Sequence, residues 1–366
     1  MIFTVSIQIE IKALGPIIRE LDFTVMLRHL ISNNKYMLQK IKFFAGIDIS
    51  KKTFDVTISN SAKSYRKFNN NQRGCKQFLK WLKKLGLELD TILVCMENTG
   101  IYHRLLASYL TSEEVFTWVE NASQIKWSMG IQRGKNDKVD SSRIMSYAKR
   151  HLDKAKSYVE KGKDLLQIAD LLGVRRRMKD CLKSLKVPIK ELKEAGLIAQ
   201  SEDLEKSTRK SIKVLEEELK KVENSIKEVI KNNENLNEMY KYATSVKSVG
   251  FVAASYLLVY TNGFTKFESA KQIASYSGIA PFEYSSGTSV KGRTRVHHMA
   301  NKRLKTILHM CAISAIANNE EMKVYFKRKV DEGKNKMLVI NAIRNKVLAR
   351  IFSCVKNKRI YEPFYA

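Results

Sequence analysis

Cysteine is scarce in this 366-residue sequence, and so are acidic residues and long apolar runs. The five cysteines are widely spaced and mostly flanked by apolar residues, a pattern that indicates neither a disulfide framework nor a zinc knuckle and fits a reducing cytoplasm. The longest apolar stretch, near residues 251–260, is too short to span a bilayer, and Glu10 and Lys12 interrupt the N-terminal segment where a signal peptide needs an apolar core. We therefore predict a cytoplasmic protein with no membrane partner.

Basic residues outnumber acidic ones by a wide margin. Lys and Arg number 66 against 37 Asp and Glu, which gives a net charge of +29 at pH 7, and the excess is spread along most of the chain. A basic surface gains affinity for polyanions because binding releases counterions from the phosphates. We predict a nucleic-acid partner, with the alternative that an AT-rich genome has raised the lysine content. The 44% apolar content is that of an ordinary globular protein, and the length suffices for two or three domains.

The clearest secondary-structure signal lies in residues 43–58. Its first half is a nearly unbroken apolar run that predicts a strand buried on both faces, and its second half alternates apolar residues with Thr53, Asp55 and Thr57, so the whole predicts a hairpin. Antiparallel strands followed by alternating strands and helices are the order of an RNase H-like α/β domain, which we place at residues 41–155. The predicted elements after the hairpin are a strand near 64–68, a helix at 72–85, a strand at 92–96, a helix at 102–110, a strand at 115–119 and helices at 122–129 and 137–151.

The remainder of the chain has helical patterns. In residues 156–242, apolar heptads from Ile212 onward and an upstream partner helix, joined near residues 188–196, predict an antiparallel coiled-coil arm. The arm is either a spacer or an element for dimerisation or for clamping a nucleic acid. Residues 243–366 predict a mostly α-helical domain with one loop rich in Gly, Ser and Arg. For residues 1–40 two alternatives stay open: a poorly ordered extension from an upstream start codon, or an extra helix packed on the α/β domain.

Four carboxylates occupy positions where strands end or helices begin. Asp48 ends the first strand and Glu97 the second buried strand, while Asp137 and Asp140 lie three residues apart on one face of a helix start. In an RNase H-like sheet these positions converge. Carboxylates about 4 Å apart repel by roughly 4 kcal/mol at an effective dielectric of 20, so such a cluster needs bound cations. Oxygen-only ligands select Mg²⁺ or Mn²⁺, and a divalent pair can stabilise both oxygens of a phosphodiester displacement.

Each acid also has a structural alternative. Asp137 alone can be a helix cap, Asp140 a solvated acid of the first turn, and Glu97 a partner for a neighbouring lysine. Asp48 is the hardest to explain without a cation, because a strand end inside a core offers no water to a carboxylate. Asp55 is assigned to the hairpin surface.

A second constellation lies in residues 281–295. A serine beside glycine can be held on a tight turn with its hydroxyl exposed, and basic residues downstream can neutralise a phosphate that approaches it. A serine that attacks DNA also needs activation by a base or a metal, and the alternative is a flexible basic loop that only touches phosphates. Residues 245–254 resemble the small-residue turn of helix-hairpin-helix proteins that bind the DNA backbone. The predicted nucleic-acid contacts are Lys247, Lys291, Arg293, Arg295, Lys302 and Arg303.

These motifs together resemble the insertion-sequence 110 family of bacterial transposases, from about Lys42 onward. Residues 46–51 are similar to the first motif of the family's DEDD domain, which has a RuvC-like RNase H fold, residues 97–100 to the second motif, and residues 135–140 to the third, which supplies two aspartates. The C-terminal part of the resemblance comprises residues 249–250, 277–281, 286–289 and 292–295.

The resemblance implies a site-specific DNA recombinase that mobilises its own element at the nucleoid of a bacterium. The four acids would bind Mg²⁺ (or Mn²⁺), and Ser286 would attack a DNA phosphate to form a phosphoserine link, with Ser285 and Ser289 as local competitors. The implied partners are double-stranded DNA at the element's ends and target, a structured non-coding guide RNA, and further copies of the chain. The active site of the implied dimer or tetramer combines the metal domain of one protomer with the serine domain of another.

The sequence departs from the family pattern at one point. Many members carry a serine-lysine-x-glycine run after the arginines, whereas residues 296–300 here lack it, and His297 or His298 is the candidate substitute for that lysine. Two other functions stay open: a RuvC-like structure-specific endonuclease that uses the four acids alone, and a non-catalytic nucleic-acid-binding scaffold.

Overall fold

The computed structural model describes residues 37–60, 64–98, 100–130, 136–286, 290–296 and 299–362. It divides the chain into two compact units, the first ending at Glu160 and the second beginning at Lys161. Most of the N-terminal segment, residues 1–36, lies outside the described residues, while Met37, Leu38 and Ile41 pack against a core of the first unit. Within the part of the chain that is described, no helix is both long enough and apolar enough to cross a membrane.

A five-stranded mixed sheet forms the centre of the first unit. Its strands are β1 (Phe43–Ile49), β2 (Thr53–Ile58), β3 (Tyr65–Asn69), β4 (Ile92–Glu97) and β5 (Phe116–Glu120), in the order β3-β2-β1-β4-β5. β1 pairs antiparallel with β2, and β2 with β3, whereas β1, β4 and β5 run parallel. The predicted hairpin of residues 43–58 is therefore confirmed.

Helices cover both faces of this sheet. One face carries α1 (Gln72–Lys84) and α2 (Arg104–Ser112). The apolar sides of these two helices are buried against Phe54 and Phe68. The other face carries α3 (Ala122–Ser128) and α4 (Asp137–Arg150), whose apolar residues pack with Phe44, Phe116 and Trp118. Asparagine side chains cap α1, α3 and α4, because a short amide oxygen can accept a hydrogen bond from the free N–H groups of a first turn.

The second unit is mainly α-helical and has one large hydrophobic core. Its helices are α5 (Lys163–Glu194), α6 (Ile198–Asn232), α7 (Glu234–Ser245), α8 (Phe251–Tyr260), α9 (Ala270–Ser277), α10 (Lys302–Asn318), α11 (Glu320–Asp331) and α12 (Lys336–Lys356). Between α9 and α10, β6 (Phe282–Ser286) and β7 (Val290–Arg295) form a two-stranded antiparallel sheet. An α/β first part and a helical second part agree with the predicted fold class.

α5 and α6 form a long antiparallel helical hairpin. Ion pairs cross between the two helices in reverse sequence order, with Arg175 bound to Glu223 and Lys193 bound to Glu205, each at 2.8 Å. The turn lies at residues 195–197, and α5 continues through the proline at position 188, so the predicted joint at residues 188–196 begins too early. The second helix also ends earlier than the heptad pattern in the sequence indicates, because α6 stops at Asn232.

Candidate active site

Four carboxylates lie side by side across one end of the sheet. β1 and β2 place Asp48 opposite Asp55, and β4 and β5 place Glu97 opposite Glu120. β1 and β4 run parallel, and their last pair is Ile47 with Met96. The next residue of each strand is an acid, so Asp48 and Glu97 are neighbours in the same register. Residues opposite one another in neighbouring strands carry their side chains on the same face of a sheet. The row therefore lies on one face, at the carboxyl ends of the three parallel strands.

Two members of this row differ from the sequence prediction. The assignment of Asp55 to the hairpin surface is wrong, because the residue is only 3% exposed. The alternation in β2 correctly separates Asp55 and Thr57 from the apolar side, but that side faces α4 instead of water. Glu120 has no role in the prediction, although it ends the third parallel strand as Glu97 ends the second. Asp48 and Glu97 are both half-buried.

α4 lies directly over the carboxylate face. Gly46 is on the same face as Asp48, two residues before it, and a Cβ at Gly46 would stand 2.1 Å from the backbone nitrogen of Met145 and 2.2 Å from the backbone oxygen of Ser141. Only a glycine permits this approach. The hydroxyls of Thr57 and Ser141, both buried, are 2.7 Å apart and fix the helix to β2.

The first turn of α4 carries the two acids of the third motif. Asn136 is the N-cap, because its Oδ1 accepts a hydrogen bond from the backbone N–H of Val139 at 2.8 Å, so the alternative that Asp137 is the cap is wrong. Asp137 and Asp140 follow in the first turn, where the helix dipole favours negative charge. Asp140 pairs with Nη1 of Arg143 at 2.8 Å. Two other motif positions, Thr99 and Lys135, lie outside the described residues.

Lys67 joins the sheet acids to the helix acids. Its Nζ lies 3.2 Å from Oδ2 of Asp55 and 3.1 Å from Oδ2 of Asp137. Asp55 also accepts a hydrogen bond from the hydroxyl of Tyr65 at 2.5 Å. That hydrogen bond raises the pKa of Tyr65, while the bonds to Asp137 and then Asp55 raise the pKa of Lys67. The ammonium of Lys67 thus partly neutralises this end of the acid cluster.

Two properties decide whether these acids can bind a divalent cation: the type of their donor atoms and the distances between their side chains. Carboxylate oxygens are the donors that Mg²⁺ and Mn²⁺ prefer, so the donor type fits. Across the residues that the structure describes, no three His, Cys, Asp or Glu side chains converge closely enough to hold one ion. Asp137 is paired with Lys67, but its side chain is 62% exposed, so the carboxylate can rotate toward the sheet without disturbing the core. The donor type therefore matches a divalent cation, while in this structure the two α4 acids are held by basic partners, Asp137 by Lys67 and Asp140 by Arg143.

Ser286 lies in the second unit, at the end of a β-strand. It is the last residue of β6 and the Cα partner of Val290 in β7, so a hairpin replaces much of the predicted loop. Residues 287–289, which include the competitor Ser289, lie outside the described residues, and so do His297 and His298. The strand pairing gives Ser286 a defined backbone position at the end of β6.

The base of this hairpin is anchored on α12. The carbonyl oxygen of Ile279 accepts hydrogen bonds from the side-chain amides of Asn341 at 2.8 Å and Asn345 at 3.1 Å. Gly278 has a φ of +68°, and a Cβ there would stand 2.8 Å from Cγ1 of Val296, so the segments before and after the hairpin touch. These contacts hold both ends of the hairpin on the helical core.

The predicted nucleic-acid contacts have different surroundings. Lys247 is exposed in the turn between α7 and α8, and Lys302 is exposed at the first position of α10. Arg303 is partly buried: its guanidinium lies 5.1 Å from the ring centre of Tyr256 and donates a hydrogen bond to the Tyr256 hydroxyl at 3.3 Å. The other predicted contacts, Lys291, Arg293 and Arg295, lie on β7.

Comparison with known proteins places both constellations in one family. Residues 45–192 match a family model described as transposase, for the DEDD domain of IS110 elements, and residues 240–327 match the model described as transposase IS116/IS110/IS902 family. The chain belongs to the IS110 family of transposases. The first match contains the carboxylate row and α4, and the second contains the Ser286 hairpin. The family resemblance seen in the sequence is confirmed.

The transposase is similar over most of its length to two proteins named for a DNA inversion. The pilin gene-inverting proteins of Moraxella bovis and Moraxella lacunata are each 26% identical over 326 residues, which cover 88% of this chain and 98% of the relative. The insertion element IS110 uncharacterized 43.6 kDa protein of Streptomyces coelicolor is 29% identical over 119 residues, 32% of this chain and 29% of that protein. IS110 transposases are enzymes that cleave and rejoin DNA, and DNA is the substrate of this one.

Proposed function

We propose that this transposase exchanges DNA strands by transesterification, with Asp48, Glu97, Asp137 and Asp140 as ligands of Mg²⁺ or Mn²⁺ and Ser286 as the nucleophile. The observation that carries the metal part is the position of Asp48 and Glu97 as neighbours on the face that α4 covers with its two first-turn acids. The strand order β3-β2-β1-β4-β5, with antiparallel pairs on one side and parallel pairs on the other, supports an RNase H-like, RuvC-like arrangement of this unit.

The proposed step exchanges one phosphoester for another. The Oγ of Ser286 forms a bond to the phosphorus, the bond between that phosphorus and a deoxyribose oxygen breaks, and the proton of the serine hydroxyl ends on the leaving oxygen, which becomes a DNA hydroxyl. When bound, the cation would stabilise the negative charge on the phosphate oxygens. Because no ester energy is lost to water, the reverse attack by a DNA hydroxyl rejoins a strand and releases Ser286.

The names of two relatives favour strand exchange over simple hydrolysis of DNA. The two Moraxella proteins are named for inverting a pilin gene, and an inverted DNA segment must be rejoined as well as cut. The second candidate is a RuvC-like endonuclease that hydrolyses DNA with the four acids alone. The row of sheet carboxylates supports either one, so the chemistry of Ser286 separates them.

A denaturing gel of the full chain with labelled DNA tests the proposed chemistry. We expect a covalent protein–DNA adduct in Mg²⁺ that disappears in Ser286→Ala and in Asp48→Asn and persists in the matched control Ser285→Ala. Free cut ends that Ser286→Ala leaves unchanged would support the endonuclease. Loss of the adduct in Ser285→Ala alone would assign the nucleophile to the neighbouring serine.

We further propose a structured non-coding RNA as guide and a homodimer or homotetramer as the active form. The net charge of +29 supports a large polyanionic partner, and the acids and Ser286 belong to separate compact units of the chain. Mixing Asp48→Asn protein with Ser286→Ala protein tests the assembly: adduct formation in the mixture, from two inactive proteins, requires units from different protomers to cooperate. RNase treatment that leaves site choice unchanged would contradict the guide RNA.

A further inference from the structure

Lys67 lies between two carboxylates of the candidate active site. Its Nζ is 3.2 Å from Oδ2 of Asp55 and 3.1 Å from Oδ2 of Asp137. We propose that Lys67 is a built-in counter-ion, which competes with the divalent cation for Asp137 and thereby limits how tightly the site binds metal. This inference rests on the metal-dependent function proposed above. Lys67 itself lies on β3 and is not one of the four acids.

One end of this ion pair is fixed by the sheet. In register, Lys67 on β3 lies opposite Asp55 on β2, and Asp55 lies opposite Asp48 on β1, so the three residues form a line that leads to the row of acids. The side chain of Asp55 is only 4% exposed and is held by the hydroxyl of Tyr65. A buried carboxylate without a partner is costly, so Asp55 keeps the ammonium of Lys67 beside it.

The other end of the pair is free to exchange. The side chain of Asp137 is 62% exposed and that of Lys67 is 47% exposed, and ion pairs at such exposure contribute little to folding stability. The bond from Lys67 to Asp137 is therefore weak enough to be replaced. A divalent cation gains more from Asp137 than an ammonium does, because its charge is double and its contact with the oxygen is shorter.

Coulomb's law gives the size of the competition. A unit positive charge about 6 Å from a divalent cation, in a water-like dielectric, weakens cation binding by roughly tenfold. Removal of the ammonium also releases Asp137 from its present partner. A lysine that only held α4 in place would have the opposite effect, since its removal would let Asp137 move away and weaken metal binding.

The test is a titration of the full-length protein with Mn²⁺, with free Mn²⁺ followed by electron paramagnetic resonance. We expect Lys67→Met to bind Mn²⁺ about tenfold more tightly than the wild type, and Lys67→Arg, which keeps the positive charge, to stay close to the wild type. The matched control is Lys40→Met, because Lys40 pairs with Asp90 at 3.5 Å and its side chain is 44% exposed. This control removes the same charge and should leave Mn²⁺ affinity unchanged.

Three results would count against the proposal in distinguishable ways. Equal or weaker Mn²⁺ binding by a folded Lys67→Met protein overturns the counter-ion role while the metal site stands. Equal tightening in Lys40→Met shows a general charge effect and also overturns it. Binding that Asp48→Asn leaves unchanged shows that the ion is elsewhere, and then the proposed function itself fails. If circular dichroism shows that Lys67→Met does not fold, Lys67→Gln replaces it with the same expected tightening.

Discussion

Because α4 lies so close to β1, we predict that the single added methyl group of Gly46→Ala damages the candidate site. A Cβ on Gly46 would stand 2.1 Å from the backbone nitrogen of Met145 and 2.2 Å from the backbone oxygen of Ser141, whereas real Cβ contacts below 3.0 Å are essentially absent from proteins. Both neighbours are backbone atoms, so no side-chain rotation relieves the clash. In Gly46→Ala the helix must move away from the strand, and its first-turn acids move with it.

The expected cost follows from this geometry. Overpacking of a core costs typically 1–3 kcal/mol, and a clash with backbone on both sides places Gly46→Ala at about 3 kcal/mol or more. For a unit of this size, that cost lowers the melting temperature by roughly 6–12 °C. The three tryptophans, Trp81, Trp118 and Trp127, all lie in the first unit, so tryptophan fluorescence follows the unfolding of that unit. We also expect weaker Mn²⁺ binding in the titration described above.

The control is Gly173→Ala in α5 of the second unit. A Cβ on Gly173 meets only Nη1 of Arg177, at 3.7 Å, which is ordinary contact, so this change should leave the tryptophan transition in place. A Gly46→Ala protein that melts within about 2 °C of the wild type would contradict this prediction. It would mean that α4 does not lie against β1 as described.

Three further changes test the surroundings of the acids. Ser141→Ala removes the partner of the buried Thr57 hydroxyl and should cost about 1–2 kcal/mol in urea unfolding followed by tryptophan fluorescence; an unchanged midpoint would contradict that bond. Asp55→Ala removes the acceptor of the Tyr65 hydrogen bond, so the pKa of Tyr65 should fall toward its ordinary value of 10.0 in an ultraviolet titration, and no fall would place Asp55 elsewhere. Burial raises the pKa of Tyr147 above the ordinary value of 10.0, so its contribution to stability is complete below pH 10 and is lost as the pH rises further. The melting temperature of Tyr147→Phe should therefore fall less between about pH 9 and pH 11 than that of the wild type. An equal fall in both proteins would contradict this.

The acids that end the parallel strands could be predicted from the sequence. Asp48 and Glu97 each follow an apolar run, which marks a buried strand, and parallel strands bring their carboxyl ends to the same edge of a sheet. The position of Asp137 and Asp140 at a helix start is equally visible from local pattern. These inferences need only short-range information, because strand and helix ends are local features.

Asp55 and Lys67 could not be predicted in the same way. The alternation in β2 shows that Asp55 is on the polar side of the strand, but not that α4, more than 80 positions later, covers that side. Burial of Asp55, and with it the role of Lys67, depends on the contact between α4 and Gly46, which is a long-range packing event. The proline at position 188 illustrates the same limit: proline locally indicates a helix end, yet packing against α6 keeps α5 helical through it.

Anomalous scattering from a crystal of the full chain soaked in Mn²⁺ would show whether the acids at the end of the sheet bind a divalent cation. We predict a manganese peak within coordination distance of the carboxylates of Asp48 and Glu97, with Asp137 turned from Lys67 toward the ion. A peak that contacts neither Asp48 nor Glu97, or no peak on this face of the sheet at saturating Mn²⁺, would contradict it.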